Sequence, residues 1–202
     1  MAELLKATGI YYRNELRSIH KNGVKLQPVY EAFTNSWESI REKYTAEHLN
    51  LGSIVIEFHY DAGMFEEDYE NNLKNLQKII ITDNGIGLNE ESFTRLLNLR
   101  DNSKSKNNKG TGRIQYLHYF DDTIFDSVYK VGDNNYRKIC LTLSKKESFL
   151  QANAILRKDS DEETNIDNTY AKVELHTILD YKNDAKFYNA LLLSDVKSEL
   201  IT

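Results

Sequence analysis

The 202-residue chain is 40% hydrophobic and 28% charged, an ordinary balance for a globular domain with room for a core. Its single cysteine, Cys140, excludes an internal disulfide framework, and its net charge of −5 argues against wholesale nucleic-acid binding. No apolar run approaches a membrane span, and the N-terminal MAELLKATGI lacks the charged and apolar regions of a signal peptide, so a cytoplasmic protein is expected.

Taken in chain order, Pro28 opens a helix over residues 28–44, with Val29, Phe33, Trp37, Ile40 and Tyr44 on one face at helical spacing. Residues 54–58 are apolar and β-branched and read as a strand, and the polar, acidic stretch 59–77 reads as a surface insertion. A second strand over 78–82 is too apolar for a sheet edge. Asn89 is placed to cap a helix reaching about residue 99, with Glu90 and Glu91 in the first turn where the helix dipole favours them. Residues 100–112 form a loop of Asn, Ser, Lys and Gly before a helix over 113–120. Strands over 124–131 and 136–143 flank a Gly-Asp-Asn-Asn hairpin signal, and residues 151–156 suggest another strand. An acidic loop is expected over 159–168, a half-buried strand over 171–176 from its alternation, and a helix over 184–200. Cys140 lies in an apolar run and reads as a small buried hydrophobe. Helices interleaved with largely antiparallel strands place the chain in the α+β class, with helices on one face of a sheet.

Three segments carry chemistry. Glu31, Asn35 and Glu38 fall within about 60° of each other on a helical wheel, opposite the apolar stripe. An Asn oxygen is a suitable ligand for Mg²⁺, and a carboxylate one turn away can take a proton from water. Asp83-Asn84-Gly85-Ile86-Gly87 follows the buried strand and puts a carboxylate beside two glycines that let another molecule approach the backbone. Residues 100–113 hold five cations (Arg100, Lys104, Lys106, Lys109 and Arg113) against one anion, Asp101. Gly110, Thr111 and Gly112 free the backbone where a helix begins, the geometry of a phosphate cradle, although the spacing is not that of a P-loop. His59, His118 and His176 show no ligand spacing, so no histidine metal site is expected.

The ordered trio of Glu/Asn helix, Asp-Gly turn and Gly-rich segment resembles the GHKL superfamily of ATPases, shared by gyrase, the large ATP-driven heat-shock chaperone, sensor histidine kinases and MutL. The resemblance covers about residues 28–176, and with Ser103-Lys104 before the glycines it is closest to the chaperone, MutL and MORC-like branches. The run from Gly110 to Leu117 also resembles large bacterial ATP-binding proteins, some associated with phage defence. The resemblance implies the Bergerat fold, a two-layer sandwich of a mostly antiparallel mixed sheet with helices on one face. It implies ATP and Mg²⁺ as ligands. Glu31 then matches the residue that polarises the attacking water, Asn35 the Mg²⁺ ligand, and Asp83 the acceptor of the adenine amino group. Gly85 and Gly87 match the glycines that shape the adenine pocket. Gly110 and Gly112 match those of the ATP lid, expected over 100–112, with Lys104, Lys109, Thr111 and Arg113 beside the phosphates.

The sequence departs from the family in three places. Glu38-Ser39 replaces the usual Asp-Ala, the lid has a single Gly-x-Gly, and Tyr170-Ala171 stand where Gly-Thr is common, with Thr169 able to supply the hydroxyl from a shifted position. These departures bear on hydrolysis more than on binding. The expected function is slow Mg-dependent ATP hydrolysis, with lid closure coupled to conformational change or an ATP-dependent homodimer. A nucleotide-sensing module without turnover is the alternative. A histidine-kinase catalytic domain is the third, disfavoured because His20 is followed by Lys21 and no long dimerisation helix pair is present. Residues 1–202 are expected to form one ATP-binding domain, the N-terminal part of a longer protein with further domains.

Overall fold

A computed structural model describes residues 2–6, 10–21, 23–60, 76–98 and 112–178. Among the described residues there are seven strands: β1 (Glu3–Lys6), β2 (Ile54–Tyr60), β3 (Leu76–Asp83), β4 (Phe120–Lys130), β5 (Tyr136–Ser144), β6 (Ala154–Thr164) and β7 (Tyr170–Ile178). The helices are α1 (Tyr12–Ser18), α2 (Gln27–Lys43), α3 (Glu90–Leu97), α4 (Gly112–Tyr119) and α5 (Glu147–Ala152), with a 3₁₀ turn over Ala46–Leu51. The strands form one sheet in the order β1-β6-β5-β4-β7-β3-β2. Every pairing in it is antiparallel, which corrects the expectation of a mixed sheet.

Strand register sorts the two faces. Ile79, Leu175, Thr123 and Leu143 form one row across β3, β7, β4 and β5, and Ile81, Val173, Phe125 and Leu141 form the next. These apolar rows meet Val29 and Ala32 of α2 and Ile114, Tyr116 and Leu117 of α4 in the main core. The third row reads Asp83, Ala171, Ser127 and Ile139, so the apolar face turns small and polar at one end of the sheet.

Helix α2 begins with Pro28 in its first turn and ends with Arg41 and Lys43, as its dipole prefers. Its buried residues are Pro28, Val29, Ala32, Ser36 and Ile40. Phe33 and Trp37, expected in the buried stripe, are 43% and 41% exposed. The small side chains of Ala32 and Ser36 let the helix backbone settle close to its neighbours, and that contact outweighs the pull of two aromatics on the flank.

Other boundaries moved for tertiary reasons. His59 and Tyr60 extend β2, and Leu76 and Gln77 open β3, so the expected insertion shrinks from both ends; residues 61–75 lie outside the described residues. Gln151 and Ala152 end α5, and Asn153 reverses the chain in a left-handed conformation before β6 begins. Asp159 to Thr164, expected in a loop, continue β6 against β5 across a bulge. Arg157 to Asp159 at 2.5 Å and Arg137 to Asp161 at 2.8 Å balance that strand's acidity. Strand β1 and helix α1 had no expectation. The fully buried Tyr12 anchors α1 through its hydroxyl to the Ser144 carbonyl at 2.9 Å, and the Asn153 side chain grips Tyr12 N–H and the Ile10 carbonyl. Asn89 caps α3 as expected, accepting from Ser92 N–H at 2.9 Å. The expected helix over 184–200 lies outside the described residues. No helix among the described residues is long and apolar enough to cross a membrane.

The opposite face of the sheet is a charged lattice centred on Glu174, which meets Lys172 at 2.8 Å, His176 at 2.9 Å and Lys78 at 3.3 Å. Burial works against its charge, but hydrogen bonds from Lys172, His176 and Lys78 prevail and hold its carboxyl at about 2, below the ordinary 4.5. A carboxyl depressed in the fold stabilises above its unfolded pKa and loses that contribution as pH falls through the folded value. Thermal stability is therefore expected to fall between pH 4.5 and pH 2. Glu174→Gln should lower the melting temperature at neutral pH and flatten that acid slope; an unchanged slope would discount the lattice.

Candidate functional site

The Asp83 turn is fixed at every residue. Asp83 is only 4% exposed, and its Oδ1 accepts from Gly85 N–H at 2.9 Å. Asn84 binds Ser53 N–H and the Leu51 carbonyl through its side chain, each at 2.8 Å, which ties the turn to the start of β2. The Gly85 carbonyl accepts from the Thr169 hydroxyl at 2.5 Å. Ile86 N–H donates to Ser39 Oγ at 3.0 Å, and Leu88 N–H donates to Ser127 Oγ at 2.7 Å. Gly87 takes φ +77°, with its Cα against the Val128 carbonyl, so a side chain there meets both strain and overlap. Lys43 closes the back of the turn by donating to the carbonyls of Asn84 at 2.7 Å and Thr169 at 3.4 Å.

Burial pushes the Asp83 carboxyl up, and the Gly85 N–H, the Ser36 and Ser39 hydroxyls and the Lys43 charge pull against that shift. The carboxylate faces a cleft of about 780 Å³ between α2, the turn, α3, the start of α4 and the ends of β4 and β7. That volume is of the size that holds a nucleotide-sized ligand.

The α2 wall of the cleft carries Glu31, Asn35, Glu38, Arg41 and Glu42, a net acidic surface. Glu31 Oε1 accepts from Gln27 Nε2 at 2.6 Å, and its other oxygen lies against Gly112, where any Cβ would overlap it. Asn35 Nδ2 reaches the Tyr116 hydroxyl in a long 3.5 Å contact, leaving the Asn35 carbonyl oxygen as an acceptor. Burial, then the Glu31 charge, pushes the Tyr116 phenol well above its ordinary range, so it stays protonated. The facing wall carries Arg95 and Arg113. Arg95 is held by the Ser92 hydroxyl at 3.0 Å and Glu91 at 3.5 Å. Arg113 donates to the carbonyls of Arg95 and Asn98, locking the start of α4 to the end of α3.

Glu31, Asn35, Asp83, Gly87, Gly112 and Arg113 thus line one cleft, although they are far apart in sequence. Gly85 and Thr169 stand behind the carboxylate, where they build the turn. Lys104, Lys109, Gly110 and Thr111, with the rest of the expected lid up to residue 111, lie outside the described residues. Ser36, Ser39, Lys43, Tyr116, Arg95 and Ser127 complete the site and were not singled out from sequence as site residues. Helical periodicity could have placed Ser36 and Ser39 beside Asn35. Nothing local marks Ser127, whose place depends on strand register. No protein-family model matches the chain, and no curated protein matches it.

Gly87→Ala should lower stability by at least ~1–3 kcal/mol, the usual range for a side chain forced into a sparsely populated backbone region. Chemical denaturation checks it; a wild-type midpoint would mean that the turn relaxes freely.

Proposed function

We propose that this domain binds ATP with Mg²⁺ and hydrolyses it slowly, in a Bergerat-type fold of the GHKL superfamily. The observation that carries the reading is a buried carboxylate, Asp83, at the base of a nucleotide-sized cleft whose two walls differ in charge. A carboxylate held by protein donors and open to the cleft is the partner that an exocyclic aromatic amine requires. The polar wall supplies the Glu31 carboxylate and the Asn35 oxygen within one helical turn, and the facing wall supplies two guanidinium groups.

The residues fit the two ligands. Asp83 accepts the adenine amino group, while the Gly87 backbone leaves room for the ring. The Asn35 oxygen is the protein ligand offered to Mg²⁺, which commonly keeps several waters and few protein donors. When bound, Mg²⁺ neutralises charge on the phosphates and aligns them for in-line attack. Glu31 orients the attacking water and takes its proton once it turns from Gln27 and Gly112 toward the cleft. By the resemblance, residues 100–112 are the ATP lid, and nucleotide binding is coupled to conformational change or to an ATP-dependent homodimer. The reading places the chain nearest the heat-shock-chaperone, MutL and MORC-like branch, in the cytoplasm.

One observation favours a sensing module without turnover. Glu31 is already engaged by Gln27 and pressed against Gly112, so it must shift to meet a water. Phosphate release measured over steady state separates the two readings.

Glu31→Ala is expected to retain ATP binding and lower turnover by roughly 10²–10⁴-fold, the span for loss of a general base; unchanged turnover removes Glu31 from the mechanism. Asp83→Asn is expected to abolish ATP binding by calorimetry, because the amide presents a donor in place of an acceptor at the buried end of the cleft. Wild-type affinity in that variant would sink the adenine assignment.

A further inference from the structure

Gln27 and Glu31 are one helical turn apart on α2, at the spacing that brings two side chains together. Gln27 Nε2 donates to Glu31 Oε1 at 2.6 Å, a short bond. The amide turns its N–H₂ this way because a carboxylate only accepts. Glu31 is the first residue of α2 to line the cleft, and Gln27 stands one turn before it, outside the lining. The bond therefore draws the carboxylate along the helix toward the edge of the cleft.

The second carboxylate oxygen meets a different restraint. A Cβ on Gly112 would overlap Glu31 Oε2 and Cδ, so the carboxylate lies directly against the backbone that starts α4. Gly112 does not take the left-handed backbone of Gly87; what the contact uses is its missing side chain. One oxygen is thus held by Gln27, and the other faces α4. General-base action on a water needs an oxygen within hydrogen-bond reach and turned toward it. We propose that Gln27 is a positioning residue that parks Glu31 against Gly112, and that breaking the Gln27 bond releases the carboxylate into the cleft and limits turnover. The gain in turnover rests on the hydrolysis proposed above; the parked position of Glu31 does not. A bond that aimed Glu31 at the water would cost turnover when broken, and a bond that only braced α2 would change melting temperature alone.

Gln27→Leu removes the donor at similar size, and Gln27→Glu sets a second carboxylate against the first. In the full chain both should raise kcat for phosphate release roughly tenfold, the worth of a hydrogen bond to a charged group. KM for ATP should stay as in wild type, because Gln27 lies outside the cleft lining. Gln27→Lys, which restores a donor, should return kcat to the wild-type value or below. Adding Glu31→Ala to Gln27→Leu should erase the gain. Unchanged or lower kcat in both Gln27→Leu and Gln27→Glu overturns the proposal. A second readout needs no nucleotide. The Gln27 side-chain amide proton bonded to Glu31 should lie downfield in the NMR spectrum of wild type and lose that shift in Glu31→Ala. An amide resonance equal in the two overturns the parked position. If no variant releases phosphate while the amide shift is lost as expected, the hydrolysis reading fails and the parked carboxylate stands.

Discussion

Burying one carboxylate at the end of β3 is the constraint on which the rest of this structure depends. Asp83 is nearly sealed from water, and an unpaired charge in that position would be too costly to persist. Part of the cost is offset by the Gly85 amide, which donates to Oδ1 at 2.9 Å, and by the Ser36 and Ser39 hydroxyls and Lys43 charge of α2, although burial still holds the carboxyl above its ordinary range. Each donor sets a further requirement. The Gly85 amide reaches Asp83 only through a tight turn, the serines reach it only if α2 lies close, and Lys43 reaches the turn only from the last turn of that helix. The small residues of α2 and the glycines of the turn follow from that one need.

The sheet decides where this happens. Register carries two apolar rows from β3 to β5 and then replaces the third with Asp83, Ala171 and Ser127. Ala171 leaves space, and Ser127 bonds both Leu88 N–H and the Tyr170 carbonyl, at 2.7 Å and 2.6 Å, which holds the far end of the turn on the sheet. The same antiparallel ladder turns Lys78, Lys172, Glu174 and His176 to the other face, where they satisfy one another. One face of the sheet is thus committed to a core and a cleft, and the other to a charge lattice.

The cleft divides its charge between two helical walls. Helix α2 brings carboxylates, and α3 and α4 bring Arg95 and Arg113, which are joined to each other through the Arg95 carbonyl. Gly112 is where the walls meet, since its missing side chain lets the Glu31 carboxylate lie against the start of α4. Movement of α4 would therefore be felt at Glu31 before any other acidic residue of the cleft.

Local sequence determined the elements whose cause is local. Pro28 started α2, Asn89 capped α3, the Gly-Asp-Asn-Asn signal joined β4 to β5, and alternation marked β7. Periodicity also put Glu31, Asn35 and Glu38 on one helical face, and they do share the cleft. Tertiary structure alone decided the rest, because it depended on partners distant in sequence. Phe33 and Trp37 fit an apolar stripe by spacing, yet closeness of approach favoured Ala32 and Ser36 for the buried side. Asp159 to Thr164 have the composition of a loop, yet pairing with β5 and two arginines made them strand. Ser39 was visible only as a mismatch with a family pattern. Its contact with Gly85 and the Ile86 amide needed α2 to be laid across the end of β3, a placement that no residue near Ser39 encodes.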